Sequence, residues 1–221
     1  MDDWETYWAK PPIPINRAYD RVAVFYRHHI IRPQLQRYLK RYFSSANVLL
    51  LHAGCGGGQV EEGIIKSDSV IALDISANAL NLYKKHHPVS TLIRGDIMAT
   101  GFRSETFDGI YNLGVMEHFS EDEIVNILRE FRRVLKQEGV VILFWPPRYG
   151  ATVIVLRALR RIYTAVLSTN IQFHPPEPNL IKSPGHVEAL ANQAGFRMRS
   201  YEFGIGDLFT NVVVVLEKSS S

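Results

Sequence analysis

The fold of this chain can be read outward from HAGCGGGQV, residues 52–60. The run follows an apolar segment, Val48–Leu51, and precedes a helical pattern from Val60 to Lys66. A buried strand that enters a glycine loop and then a helix is typical of nucleotide-binding α/β units, because glycine has no Cβ to keep a ligand away from the backbone. A dinucleotide fingerprint requires G-x-G-x-x-G, but counted from Gly54 its third glycine position is Gln59. The pattern G-x-G-x-G therefore favours a different ligand.

Four more apolar runs follow, and each ends in a polar or conformationally special residue. The first ends in Asp74, 20 residues after Gly54, where a carboxylate can reach both hydroxyls of a ribose. Because the carboxyl ends of parallel strands meet at one edge of a sheet, these residues are expected to converge there. The runs are Val70–Leu73 before Asp74, Ser90–Arg94 before Gly95-Asp96-Ile97, Phe107–Asn112 before Leu113, and Val140–Trp145 before Pro146-Pro147.

Helical patterns alternate with these strands, which indicates an α/β sheet. Residues 17–43 are predicted to be helical with an interruption near Pro33, and Ser120 to Glu123 form a capping box that begins another helix. Ser183-Pro184 is predicted to open a helix that ends at Gly195. A last pair of strands, Arg197–Phe203 and Asn211–Glu217, is close enough in sequence to be antiparallel.

Composition favours a soluble globular protein: 46% of residues are hydrophobic and 21% are charged. The net charge of +3 is too small to indicate nucleic-acid binding, and the acidic start predicts no signal peptide. Cys55 is the only cysteine, so no intrachain disulfide can form and a reducing cytoplasm is expected. No metal-ligand spacing is present, so no metal site is expected.

The ordered series LLLHAGCGGG, ALDIS, RGDI and FDGIYNLGVMEHF resembles the class I S-adenosylmethionine-dependent methyltransferases from about Asn47 to Trp145. The resemblance implies a Rossmann-like, doubly wound and mostly parallel seven-stranded sheet with an antiparallel C-terminal pair. It also implies S-adenosylmethionine as cofactor and S-adenosylhomocysteine as product. The chain departs from the family at His52, where an acid is usual, two positions before the first glycine.

The resemblance assigns cofactor contacts to residues at four strand ends. The glycine loop would pass the methionine and ribose, Asp74 would bind the ribose hydroxyls, and Asp96 would bind the adenine amino group between apolar neighbours. The main chain near Asn112 would face the sulfur and the methyl group. The predicted cofactor-binding residues are Gly54, Cys55, Gly56, Gly58, Asp74, Ile75, Asp96, Ile97, Asn112 and Leu113.

The acceptor side is less defined by the sequence. His118 and His174 are candidate general bases for a hydroxyl acceptor, although each also fits a structural or surface role. The aromatic residues Trp4, Tyr7 and Trp8 fit either an acceptor pocket or a latch on the core. An apolar or aromatic small-molecule acceptor is the leading hypothesis. A non-catalytic binding module and a nicotinamide-dependent oxidoreductase are the alternatives.

A single domain, residues 1–221, is expected. Within it the sequence predicts an N-terminal helical cap (1–46), a cofactor-binding core (47–148), a lid-like insertion (149–185) and a closing helix and strand pair (186–221). The insertion contains a helical pattern from Ala151 to Leu167 with arginines on one stripe. Such a helix fits a lid or a peripheral contact with a membrane surface. The acceptor's identity, the methylated atom and the oligomeric state do not follow from the sequence.

Overall fold

The seven strands in the described part of the chain all belong to one sheet. A computed structural model describes residues 2–9, 24–44, 47–61, 69–88, 90–151, 153 and 177–219 of the chain. The strands are β1 (Leu50–Ala53), β2 (Val70–Asp74), β3 (Thr91–Arg94), β4 (Phe107–Leu113), β5 (Leu135–Trp145), β6 (Phe196–Glu202) and β7 (Val212–Lys218).

The sheet has the order β3-β2-β1-β4-β5-β7-β6. The first five strands pair in parallel, and β7 lies antiparallel between β5 and β6. The predicted fold class is therefore confirmed. The switch in strand order between β1 and β4 opens a crevice at the carboxyl ends of the strands, where open α/β sheets bind ligands.

Five α-helices flank the sheet in the described residues. Two 3-10 turns, Met116–His118 and Ile205–Asp207, also occur in this part of the chain. Apolar side chains fill both faces of the sheet, so it is buried between two layers. The helices are α1 (Asp2–Ala9), α2 (Arg32–Tyr42), α3 (Ala77–His86), α4 (Glu121–Val134) and α5 (Pro184–Gln193).

The interruption predicted near Pro33 takes the form of a π-helical turn, Arg27–Ile31, that leads directly into α2. Proline cannot donate a backbone hydrogen bond, so it is tolerated in the first turn of a helix. The N–H of Arg32 bonds the carbonyl of Arg27, five residues back, as a π turn requires. The chain thus remains helical through Pro33, and the irregularity lies in the π-helical turn before it.

Two predicted helix caps are confirmed. The side chain of Ser120 accepts from the N–H of Glu123, whose carboxylate accepts in return from the Ser120 N–H, and both begin α4. The hydroxyl of Ser183 accepts from the N–H of His186 at the start of α5. That helix ends at Gln193 instead of Gly195.

Several predicted boundaries move. The first strand is Leu50–Ala53 rather than Val48–Leu51, so it carries His52 into the sheet. The helix α4 ends at Val134, and β5 begins at Leu135 because Leu135 pairs with Phe107 of β4. The helix predicted over Val60–Lys66 lies mostly outside the described residues, as do residues 17–23 and nearly all of Ala151–Leu167.

Among the described residues, no helix is long and apolar enough to cross a membrane. These described residues also contain no group of three or more His, Cys, Asp or Glu side chains that could hold a metal ion.

Candidate active site

The glycine loop turns through backbone conformations that suit glycine. Gly54, Gly56 and Gly58 have φ angles of +70°, +54° and +70°, a region that other residues enter at a cost. The N–H groups of Gly54 and Cys55 both donate to the carbonyl of Leu73, at 2.8 and 3.0 Å. The loop therefore returns against the end of β2 instead of running on into solvent.

Cys55 packs inside this loop and is buried. Burial is the main cause that raises the pKa of its thiol well above the usual range, and the nearby carboxylates of Asp74 and Glu61 add to it. A protonated, inaccessible thiol is a poor nucleophile. The side chain serves packing, which leaves the loop backbone as the group that faces a ligand.

Asp74 connects the loop to the next helix. Its carboxylate accepts from the N–H of Gly56 (2.8 Å) and from the N–H of Ser76 (2.9 Å), one bond to each oxygen. Burial raises the pKa of this carboxyl, against the lowering effect of the two N–H groups. Each oxygen keeps a second lone pair, so Asp74 can also accept from hydroxyl groups of a ligand.

The Gly95-Asp96-Ile97 segment lies beside Asp74, because the N–H of Gly95 donates to the carbonyl of Asp74 at 3.0 Å. Asp96 is exposed, and one of its oxygens accepts from the N–H of Met98. Ile97 is buried and Ile75 is half-buried. An exposed carboxylate beside apolar side chains fits the edge of a purine ring.

The end of β4 closes the other side of the loop. A Cβ at Gly54 would lie 2.8 Å from the side chain of Val115, so the segment after β4 contacts the glycine loop directly. The Asn112 side chain is completely buried, and its amide atoms have no hydrogen-bond partner among the described residues. Leu113 is half-buried and packs against the core on one face of the sheet, with Tyr111 and Phe144. The burial of the Asn112 side chain is compatible with the predicted backbone contact to the cofactor at this strand end.

The N-terminal helix α1 lies across these elements. The indole ring of Trp8 packs on the loop, 2.9 Å from a Cβ added at Gly56. Glu5 accepts from the hydroxyl of Ser76 (2.6 Å), and the ring of Trp4 meets that of His118 edge-on with centroids 4.9 Å apart. The aromatic residues of α1 thus pack over the glycine loop and the end of β4.

His118 and Glu117 follow β4 in the Met116–His118 turn. Nε2 of His118 lies 4.0 Å from Oε1 of Glu117. The Glu117 carboxyl is fully enclosed, and burial raises its pKa to about 8, with the charge of Glu177 adding to the shift. The other predicted base, His174, lies outside the described residues.

His52 forms a buried pair that sequence reasoning missed. Its Nδ1 contacts Oε1 of Glu61, and its ring stacks on Tyr111 with centroids 4.5 Å apart. The His52 charge and hydrogen bonds from His52 and Tyr111 lower the pKa of Glu61 despite its complete burial, which alone would raise it. An acid in the helix pattern after a glycine loop is the only sequence signal for such a partner.

A family model described as "Methyltransferase domain" matches residues 51–143. That range covers the glycine loop, Asp74, Asp96 and the end of β4. This segment of the chain is a methyltransferase domain, and the fold is that of the class I S-adenosylmethionine-dependent methyltransferases. The oxidoreductase alternative is overturned, since the matched family and the antiparallel β7 are those of methyltransferases.

Two proteins are similar to this chain in sequence. An uncharacterised protein of Methanocaldococcus jannaschii is 30% identical over 143 residues, which is 65% of this chain and 59% of that protein. The chain thus matches less than two thirds of that relative's length. A ubiquinone biosynthesis O-methyltransferase of Hydrogenovibrio crunogenus is 22% identical over 191 residues, or 83% of this chain and 76% of that protein.

Among solved structures, the magnesium protoporphyrin IX methyltransferase of Synechocystis with bound S-adenosylhomocysteine has a similar fold, with a TM-score of 0.64. The two chains are 14% identical, and the similarity covers 99% of this chain and 94% of the other. At that identity the likeness concerns the fold.

The residues of this methyltransferase fit S-adenosylmethionine. The loop with positive φ angles can admit the methionine part close to the backbone, and Asp74 offers free acceptor positions for ribose hydroxyls. Asp96 with Ile97 offers a polar and an apolar contact for adenine. The family's usual acid at position 52 is replaced by His52, whose contact with Glu61 keeps a carboxylate near the loop.

Proposed function

We propose that this methyltransferase moves a methyl group from S-adenosylmethionine to a small apolar or aromatic acceptor that binds between α1 and the end of β4. The observation that carries this proposal is the edge-on contact of Trp4 with His118, at 4.9 Å. It brings an aromatic wall to the place where the acceptor must lie, beyond the end of β4 and beside the cofactor loop.

The names of two similar proteins support an acceptor of this class. One is named for ubiquinone biosynthesis and the other for magnesium protoporphyrin IX, and each of these compounds contains a flat, conjugated ring system. Aromatic side chains bind such rings by offset or edge-on packing. Tyr7 lies between the two tryptophans, at 5.9 Å from Trp4 and 5.3 Å from Trp8, and completes the surface.

When bound, S-adenosylmethionine supplies a methyl group on a positively charged sulfur that leaves as a neutral thioether. The chain's own residues have to align the acceptor with that methyl group and exclude water. Trp4 and Trp8 are placed to exclude water, since both pack over the site. For a hydroxyl acceptor, His118 is the candidate to take the proton, and the nearby Glu117 would favour the charged imidazole only when ionised.

Turnover with a panel of acceptors tests the proposal. The purified protein is incubated with S-adenosylmethionine and with phenols, catechols and quinols, against aliphatic amines and hydrophilic carboxylic acids. We expect S-adenosylhomocysteine and a methylated ring compound, identified by mass spectrometry. Methylation only of the hydrophilic compounds contradicts the acceptor class. Tight binding of S-adenosylhomocysteine in calorimetry with no turnover on any compound favours the non-catalytic binding module.

The arrangement of the chain around this function is also a proposal. Residues 1–46 would cap the site, 47–148 would bind the cofactor, 149–185 would form a lid, and 186–221 would close the sheet. The contacts of α1 support the first of these roles, and the position of β6 and β7 at the sheet edge supports the last. A cytoplasmic location, the absence of a nucleic-acid partner and a peripheral membrane contact stay predictions.

A further inference from the structure

Glu61 is a fully buried carboxylate that the methyl-transfer chemistry does not use. Three side chains from three different elements converge on its Oε1 atom. His52 of β1 contacts it through Nδ1, while the hydroxyls of Tyr83 (3.1 Å) and Tyr111 (2.7 Å) donate to it. These residues come from β1, α3 and β4, the elements that surround the glycine loop.

The cluster is enclosed and closely packed. The side chains of His52 and Glu61 are 2% and 1% exposed, so neither can exchange its partner for bulk water. Nε2 of His52 and Oε2 of Glu61 have no hydrogen-bond partner in the described part of the chain. Removing either member of such a pair leaves a buried polar or charged group uncompensated, and the surrounding backbone has to adjust.

The backbone that would adjust is the second half of the glycine loop. The ring of Tyr83 lies under Gly58, where a Cβ would stand only 2.6 Å from it. Nε2 of His87 bonds the carbonyl oxygen of Gly58 at 2.8 Å. Tyr83 thus supports Gly58 with its ring and Glu61 with its hydroxyl, so a shift of Glu61 is transmitted to the loop.

The first half of the loop is held separately. Gly54 and Cys55 are bonded to Leu73, and Gly56 is bonded to Asp74. The loop is therefore fixed by β2 at one end and by the Glu61 cluster at the other. The cofactor's place along the loop depends on both supports, because its contacts there are made by the backbone between them.

We propose that Glu61 is a positioning residue for the cofactor loop, and that its pairing with His52 replaces the single strand-end acid usual in this family. In this chain the carboxylate lies at the far end of the loop, at Glu61, and a histidine occupies the position on β1 where the family usually has an acid. This inference goes beyond the proposed acceptor, since it concerns the affinity for the cofactor alone.

The test uses the full chain and calorimetric titration with S-adenosylhomocysteine. The variants are Glu61→Gln, His52→Asp, which restores the family's acid, and the exchange His52→Glu with Glu61→His. We expect each single variant to weaken binding by about 10- to 100-fold, the range that loss of supporting groups behind a ligand costs in comparable sites. His52→Asp is expected to be the worse of the two, because it sets two carboxylates side by side.

The exchanged pair restores a contact between a carboxylate and an imidazole, with the carboxylate now at position 52. We expect it to recover most of the lost affinity for S-adenosylhomocysteine. Asp108→Asn is the matched control: its carboxylate bonds Lys136 and the N–H of Leu49 at the opposite edge of the sheet. That variant is expected to alter the unfolding temperature without altering affinity. All titrations are made well below the unfolding temperature of each variant, measured by circular dichroism.

Tyr111→Phe is a milder variant that keeps the fold if the others do not, because it removes only one hydroxyl. It is expected to weaken binding less than Glu61→Gln does. Folded single variants with unchanged affinity would overturn the proposal. So would an exchanged pair that is folded and binds no better than the single variants, since a positioning role requires the pair rather than either residue alone.

Discussion

The indole ring of Trp8 rests on the backbone of Gly56, so closely that a Cβ at position 56 would stand 2.9 Å from its Cζ2 atom. The same ring lies 3.5 Å from a Cβ added at Gly57. An aromatic side chain from the N-terminal helix therefore forms the outer wall of the loop that defines the family. Whether this wall supports the bound cofactor or competes with it can be measured.

Trp8→Ala is expected to weaken the binding of S-adenosylhomocysteine. The loss corresponds to an aromatic contact of about 0.5–1.5 kcal/mol, or roughly two- to tenfold in the dissociation constant. Trp4→Ala is the matched control, because that ring contacts His118 instead of the loop. It should leave this dissociation constant unchanged and raise KM for the acceptor. Tighter binding in Trp8→Ala would mean that α1 obstructs the cofactor site.

Gly58→Ala should destabilise the fold more than an alanine at Gly101 or Gly204 does. Gly58 combines a φ of +70° with a neighbour, Tyr83, at 2.6 Å from a Cβ. Gly101 has a φ of +73° but open space around it, and Gly204 has open space and an extended backbone. The left-handed conformation alone costs about 1–2 kcal/mol, so we expect the order Gly58, Gly101, Gly204 in denaturant unfolding. Equal losses at Gly58 and Gly101 would show that Tyr83 moves aside freely.

Glu117→Gln should remove a pH dependence of stability. Burial raises the pKa of Glu117 from its ordinary 4.5 to about 8 in the folded state. Between these values the folded state binds more protons than the unfolded state, so stability falls as pH rises, by at most about 1.4 kcal/mol per pH unit. The stability of Glu117→Gln relative to the natural protein should therefore increase as the pH rises from about 5 to about 8.

Denaturant titrations at several pH values measure this gain. Glu123→Gln is the control, because hydrogen bonds from Ser120 lower the pKa of that exposed carboxyl and it is already ionised across the window. Its stability relative to the natural protein should stay constant there. A constant difference for Glu117→Gln as well would mean that Glu117 titrates in its ordinary range.

Asp74→Asn and Asp96→Asn should separate two roles of strand-end acids. Asp74 is buried and accepts hydrogen bonds from two backbone N–H groups. In Asp74→Asn the side-chain NH₂ group would face one of these N–H donors, and the lost hydrogen bond should lower the free energy of unfolding by about 1–3 kcal/mol. We expect lower cofactor affinity together with a lower unfolding temperature. Asp96 is exposed and should affect affinity alone. A stable Asp74→Asn that binds normally would show that the ribose is held elsewhere.

Local sequence was sufficient for the elements whose signals are short-range. The caps at Ser120 and Ser183, the glycine loop and the carboxylates at strand ends depend on residues within a few positions of each other. The pairing of the last two strands was also predictable, because the connection between them is short. Boundaries such as the start of β5 were missed, since they depend on pairing with Phe107 of a different strand.

The contacts of His52 with Glu61 and of Trp8 with Gly56 were decided only by the tertiary structure. Neither residue carries a local preference for its partner, and each partner is set by how β1, α1 and α3 pack around one loop. Periodicity and spacing place a residue on a face of its own element. They do not say which distant element covers that face, because that choice is made by burial of the whole core.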